Sequence, residues 1–144
     1  MESKQLSFAD GLVSYDINGK FELTFNPMDS TFGERLFNTF CDLDKKQEEY
    51  RAEVEKADKS SVFEIMRKLD AEMRDMIDSA LDAPVCAAVF GGMNVYALAD
   101  GLPVWANLLL AIMDEMDTSF AREKKQMDIR IRKYSEKYKK YKRK

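Results

Sequence analysis

Apolar residues recur at steps of three and four along three long stretches of this chain, and only 6 glycines and 3 prolines are present to interrupt them. Such spacing gathers side chains on one flank of an α-helix. The first stretch holds Phe32, Leu36, Phe37, Phe40, Leu43, Tyr50 and Val54 and predicts a helix of roughly 25 residues. The second holds Val62, Met66, Leu69, Met73, Met76, Ile77 and Ala80. Its far flank, Arg67, Lys68, Asp70, Arg74, Asp75 and Asp78, is expected to face water. Thr31 with Glu34, and Ser61 with Glu64, have capping-box spacing and mark the two starts. The third stretch opens at Pro103, a residue favoured in a first helical turn. It runs through Trp105, Leu109, Ile112, Met116 and Phe120 to Met127, Ile131, Tyr134, Tyr138 and Tyr141, broken where Lys124 falls on the stripe. Up to Phe120 the apolar face is wide enough for a core. Beyond it a narrow seam remains among Lys and Arg.

Ahead of the helices, residues 12–25 alternate apolar and polar around Asn18-Gly19, a strong hairpin signal. A two-residue turn would pair Ile17 with Lys20 and Tyr15 with Glu22, mixing charge with apolar groups. A three-residue loop of Ile17, Asn18 and Gly19 pairs Asp16 with Lys20, Tyr15 with Phe21 and Val13 with Leu23, which sorts the faces and is the expected register. Two strands are marginal alone, so the apolar face must lie on the helices or extend a partner's sheet. Between the second and third helices, Ala83-Pro84 is a stop and Pro84 to Phe90 a short buried helix. Gly91-Gly92 is a break, and Met93 to Ala99 is read as another helical turn or two. The predicted fold is mostly α: a helical domain with an N-terminal β-hairpin and a long basic C-terminal helix.

Charge divides this single-domain chain of 144 residues unevenly. Residues 122–144 hold 12 Lys+Arg against 3 Asp+Glu, leaving 11 basic and 23 acidic residues in 1–121. The reading is an acidic helical domain, 1–121, followed by a basic amphipathic helix or tail, 122–144. Such a molecule attracts acidic or mixed-charge partners through its tail, or docks head to tail on copies of itself, and salt weakens both attractions. The strongest apolar run, Leu102 to Met113, is too short to cross a bilayer, and the N-terminus lacks the pattern of a signal peptide. No membrane association and a cytoplasmic location are expected.

Catalytic chemistry has little to work with. The chain has no His, the commonest general base and metal ligand. Asp114, Glu115 and Asp117 share a helix, yet adjacent residues point about 100° apart, as on a solvated acidic face. Cys41 and Cys86 lack CxxC spacing and sit in apolar surroundings, so both are expected to be buried, reduced thiols. The glycines form no phosphate-binding pattern. The expectation is a protein that is not an enzyme and needs no cofactor or metal. Nine methionines, with Met66, Met73, Met76, Met113, Met116 and Met127 on or near apolar stripes, suit either plain core filling or an adaptable surface for other proteins. In the tail, Tyr134, Tyr138 and Tyr141 among lysines could stack nucleic-acid bases. Their steps of four and three instead fit a seam for a partner helix, and the acidic body repels nucleic acid; a merely solvated tail is the remaining reading. The candidate partner-binding residues are Met127, Ile131, Tyr134, Tyr138 and Tyr141 with Arg130, Lys133 and Lys137.

The hairpin Asp16-Ile17-Asn18-Gly19-Lys20-Phe21-Glu22-Leu23, the long acidic helix after it, the patch Val89-Phe90-Gly91-Gly92-Met93-Asn94-Val95-Tyr96 and a highly charged final helix occur in an order that resembles the tail assembly chaperones of long-tailed, siphovirus-type bacteriophages of Gram-positive bacteria. The Val89–Tyr96 patch is similar to the Phe-Gly-x-x-Asn turn ahead of that family's last helix. The resemblance implies a helical chaperone in the host cytoplasm that coats the aggregation-prone tape-measure protein and recruits tail-tube subunits. It also implies short and frameshifted longer forms. The Met-rich second helix and the three-tyrosine tail have no counterpart in that pattern. Two other classes stand beside it: a small phage-encoded inhibitor whose acidic body mimics nucleic acid, and a nucleic-acid-binding protein acting through its tail. The alternation of Asp42, Asp44, Glu48, Glu49, Glu53, Glu55 and Asp58 with Lys45, Lys46, Arg51 and Lys56 favours a solvated helix over a mimic.

Overall fold

The computed structural model describes the backbone of residues 2–142 and the side chains of residues 2–129, 132 and 133. Strands β1 (Val13–Ile17) and β2 (Phe21–Phe25) form an antiparallel hairpin. Helices α1 (Ser30–Lys56), α2 (Lys59–Leu81) and the short α3 (Val85–Phe90) follow. A two-residue pairing of β3 (Leu98–Ala99) with β4 (Leu102–Pro103) then leads into α4 (Val104–Lys142). The mostly helical fold with its N-terminal hairpin is as the apolar spacing predicts.

Asn18 and Gly19 are both left-handed, at φ 53° and 70°. The Lys20 N–H closes the turn on the Ile17 carbonyl at 2.9 Å, and the Gly19 N–H donates to Asp16 Oδ1 at 2.9 Å. Pairing then resumes at Ile17 with Phe21, Tyr15 with Leu23 and Val13 with Phe25. The three-residue loop is therefore Asn18-Gly19-Lys20, one place later than the spacing suggests. The displaced register still puts odd-numbered residues on one face, and it gains a pairing of Ile17 with Phe21 while releasing Lys20 to water. Leu23 and Phe25 are buried against the helices, with Tyr15, Phe25 and Phe32 stacked in succession at centroid distances of 4.8 Å.

Both long helices begin earlier than their capping-box signals. Asp29 Oδ1 accepts the Thr31 N–H at 3.0 Å, and Asp58 Oδ1 accepts the Ser61 N–H at 3.2 Å. A carboxylate is a strong acceptor for the unpaired N–H groups of a first turn, and in each case it lies two or three residues ahead of the hydroxyl residue. Helices α1 and α2 lie against one another over a core of Leu36, Leu43, Met73 and Ile77, each fully buried. Each such side chain contributes about 1.5–3 kcal/mol relative to exposure. At their edge Glu72 Oε2 accepts from Lys46 Nζ at 3.0 Å and from the Tyr50 hydroxyl at 2.8 Å. Burial, and then this bond to Glu72, push the Tyr50 hydroxyl up to about 12. The bond to Tyr50, and then that to Lys46, hold the Glu72 carboxyl below its ordinary value.

The far flank of α2 is only in part a solvated face: Arg67, Lys68 and Asp75 are exposed as expected, but Asp70, Arg74 and Asp78 are half-buried. The latter three, four residues apart, turn onto α3 and the segment that follows it. Asp78 Oδ1 accepts the N–H groups of Val85 at 3.0 Å and Cys86 at 2.9 Å, seating α3. Arg74 Nη2 donates to the carbonyls of Gly91 and Met93, each at 2.7 Å, and Arg74 Nε donates to Asp70 Oδ2 at 3.0 Å. Asp70 Oδ1 accepts the Val95 N–H at 2.8 Å. Residues Met93 to Ala99 are thereby held as turns ending in a strand, not as the expected helical turns, because these side chains take the backbone groups a helix would pair internally. The Val95 carbonyl accepts the Trp105 N–H at 3.0 Å, which aims α4. Trp105 then donates from Nε1 to Gln47 Oε1 at 2.7 Å and meets the Phe40 ring edge-on at 5.1 Å.

Of the two cysteines, Cys86 is buried and Cys41 is exposed. Position 41 lies two residues before the fully buried Leu43, about 200° around α1, so its expected burial is corrected by helix geometry. Burial raises the Cys86 thiol well above its ordinary value, and the neighbouring Asp78 raises it further.

Candidate functional site

Trp105, Ala106, Leu108, Leu109 and Ile112 anchor the first turns of α4 in the core. Among the described residues Ser119, fully buried, is the last such position; residues 120–129, 132 and 133 are all exposed. From Ser119 to Lys142 the helix continues for about 35 Å at about 1.5 Å per residue. Phe120 is 58% exposed, so it stands outside the core that the sequence assigns it to. The reason is angular: Ile112 and Ser119, seven residues apart, face the body, and Phe120 lies about 100° further round.

Phe120 and Met127, seven residues apart, share one flank of this free segment, and Met127 is 53% exposed. Met28, from the turn before α1, is exposed beside them. With Glu123, Lys124, Gln126, Ile129 and Lys133 these residues line an open groove of about 920 Å³. Ile129, also exposed, lies about 180° from Phe120, among Arg122, Lys125, Arg132 and Lys133. The free segment is thus most apolar at Phe120 and Met127 and most basic on the opposite side, and the groove reaches round from the first to Ile129 and Lys133 at the edge of the second.

Of the predicted partner-binding residues, Met127 and Lys133 are exposed on this helix. The side chains of Arg130, Ile131, Tyr134, Lys137, Tyr138 and Tyr141 lie outside the described residues, although the α4 backbone is helical through Lys142. Met28 was beyond sequence reasoning, since only the folded chain brings it to α4. Ile129 was legible from its angle to the seam. Among the other methionines, Met73 is fully buried and Met76, Met113 and Met116 are half-buried against the core, which makes them core filling, while Met66 is half-buried in an open groove with Tyr50, Leu69 and Tyr96.

The acidic trio on α4 is divided in use. Glu115 is half-buried and accepts from the Tyr15 hydroxyl at 3.3 Å, tying the hairpin to the helix, while Asp114 and Asp117 face water. Burial raises the Tyr15 hydroxyl above its ordinary value. Among the described residues no three His, Cys, Asp or Glu side chains stand together as a metal site, and no helix is long and apolar enough to cross a membrane. No protein-family model, curated protein or solved structure matches the chain.

Proposed function

We propose that the protein is a non-enzymatic tail assembly chaperone in the host cytoplasm, which binds the tape-measure protein along the apolar flank of α4 and helps recruit tail-tube subunits around it. The observation that carries this reading is a helix rooted in the core by Trp105 and Leu109 that then presents Phe120 and Met127 to water on a positively charged rod. A long helical partner offers a matching seam, and helix-to-helix contacts of this kind use anchors three, four and seven residues apart. The choice of tape measure and tube as partners comes from the order of hairpin, acidic helix, Phe90-Gly91 turn and charged last helix.

The test is affinity purification of the tagged full chain from cells expressing its native genomic neighbourhood, with nuclease treatment and mass spectrometry. A very long coiled-coil protein should co-purify. It should be lost from a Met127→Asp/Ile131→Asp/Tyr138→Asp variant whose thermal unfolding is unchanged. Recovery of nucleic acid alone, or of a host enzyme at fixed stoichiometry, would replace this reading with tail-mediated nucleic-acid binding or inhibition respectively.

A further inference from the structure

The basic flank of α4 carries more charge than the one described acid spaced to pair with it, Asp128, which lies three residues from Lys125 and four from Arg132. Arg122, Lys125, Arg132 and Lys133 are exposed and lie within about 100° of arc around Ile129, on the side opposite Phe120 and Met127. Among the described residues none of the four is in an ion pair; Arg122 donates only to Ser119 Oγ, at 3.3 Å. Lys125 to Lys133 lie about 9–21 Å along the helix beyond Ser119. The Debye length at physiological salt is about 8 Å, so the chain's own body screens these charges weakly. An intact helix cannot fold them back onto it.

A matching surface exists on the body. Asp44, Glu48 and Glu55, at steps of four and seven, form one exposed row along α1, and Phe37, 61% exposed, continues it by a further step of seven. Arg51 stands on the same side, four residues before Glu55, and among the described residues only Glu48 of the three acids is paired, to Arg51 at 3.2 Å on a solvent-exposed edge where such a bond contributes about 0–1 kcal/mol. Asp44 to Glu55 spans eleven residues, as does Arg122 to Lys133, so both rows are about 16 Å long. Ile129 lies inside the basic row, whereas Phe37 stands seven residues, about 10 Å, before the acidic one.

We propose that the basic row of α4 docks on the acidic row of α1 in a second copy of this chain. Charge sign, row length and the inability of α4 to reach its own α1 all favour a copy in trans. Reciprocal docking closes a two-fold dimer, and one-way docking builds a head-to-tail chain. Apart from Lys133, which is also a candidate partner-binding residue, the basic row lies outside the seam, so the contact does not rest on the chaperone reading. Loss of partner capture in the seam variant leaves it intact.

Sedimentation of the nuclease-treated full chain tests this. At about 50 mM salt the mass should exceed the 16.7 kDa monomer and rise with concentration, and at about 500 mM it should return to monomer. Lys125→Glu/Arg132→Glu/Lys133→Glu and Asp44→Lys/Glu48→Lys/Glu55→Lys variants should each be monomeric at low salt and should associate when mixed. The single changes Arg132→Glu and Glu48→Lys serve if a triple variant loses its native circular dichroism. A monomer at every salt concentration, a salt-insensitive oligomer, or natively folded reversed variants that ignore one another would overturn the proposal.

Discussion

Replacing Asp70 by alanine probes the least expected part of the fold. Its Oδ1 accepts the Val95 N–H at 2.8 Å and its Oδ2 accepts from Arg74 at 3.0 Å, while Arg74 also holds the Gly91 and Met93 carbonyls. Without the carboxylate, the Val95 N–H loses its partner beside a fully buried side chain, at a cost of about 1–3 kcal/mol. The Arg74 pair, about one-fifth exposed, adds about 0.5–1 kcal/mol. The expected loss is about 1.5–4 kcal/mol, or about 5–15 °C in Tm for a chain of this length. Asp70→Asn keeps a carbonyl acceptor for Val95 and should lose only about 1 kcal/mol. Asp75→Ala, an exposed acid on the same helix, is the control and should stay within about 0.5 kcal/mol of the native chain. Urea unfolding followed by circular dichroism measures all three. If Asp70→Ala unfolds together with Asp75→Ala, the far flank of α2 is an ordinary solvated face and the account given for the Gly91–Tyr96 segment fails.

Other expectations follow from burial and titration. A thiol reagent should label Cys41 at once and Cys86 only as fast as the chain unfolds, since Cys86 is buried with its thiol proton held tightly; immediate labelling of both would contradict the seating of α3. Tyr50, pushed up to about 12 from 10.0, keeps its proton in the folded chain where the unfolded chain has lost it. Its contribution is therefore fully present below about pH 10 and is lost as pH rises towards about 12. Tyr50→Phe should flatten that fall in stability across the window, measured by urea midpoints at each pH. Met73→Ala, at a fully buried position between α1 and α2, should cost about 2–5 kcal/mol by leaving a cavity. Trp105, the one tryptophan and 2% exposed, should emit at short wavelength until global unfolding; early red-shifted emission would mean that the root of α4 opens first.

Local pattern carried much of this architecture. Steps of three and four placed α1, α2 and α4, because a helix repeats every 3.6 residues and burying one flank demands that spacing. Alternation around Asn18-Gly19 placed the hairpin and its inward face, since any register displaced by two keeps the same residues inside. The sequence also determined the charge step after residue 121. Spacing could not choose between two registers that sort the faces equally, or between a hydroxyl and an upstream carboxylate as cap, because each is settled by which group reaches the orphan N–H. It read Asp70, Arg74 and Asp78 as a wet face, for their residue type says nothing of the carbonyls and N–H groups that a distant segment brings to them. Met28 meets α4, and Phe120 falls outside the core, for a related reason. Helical phase is local, but where the body ends along a 39-residue helix depends on what has packed beside it, and only the tertiary structure decides that.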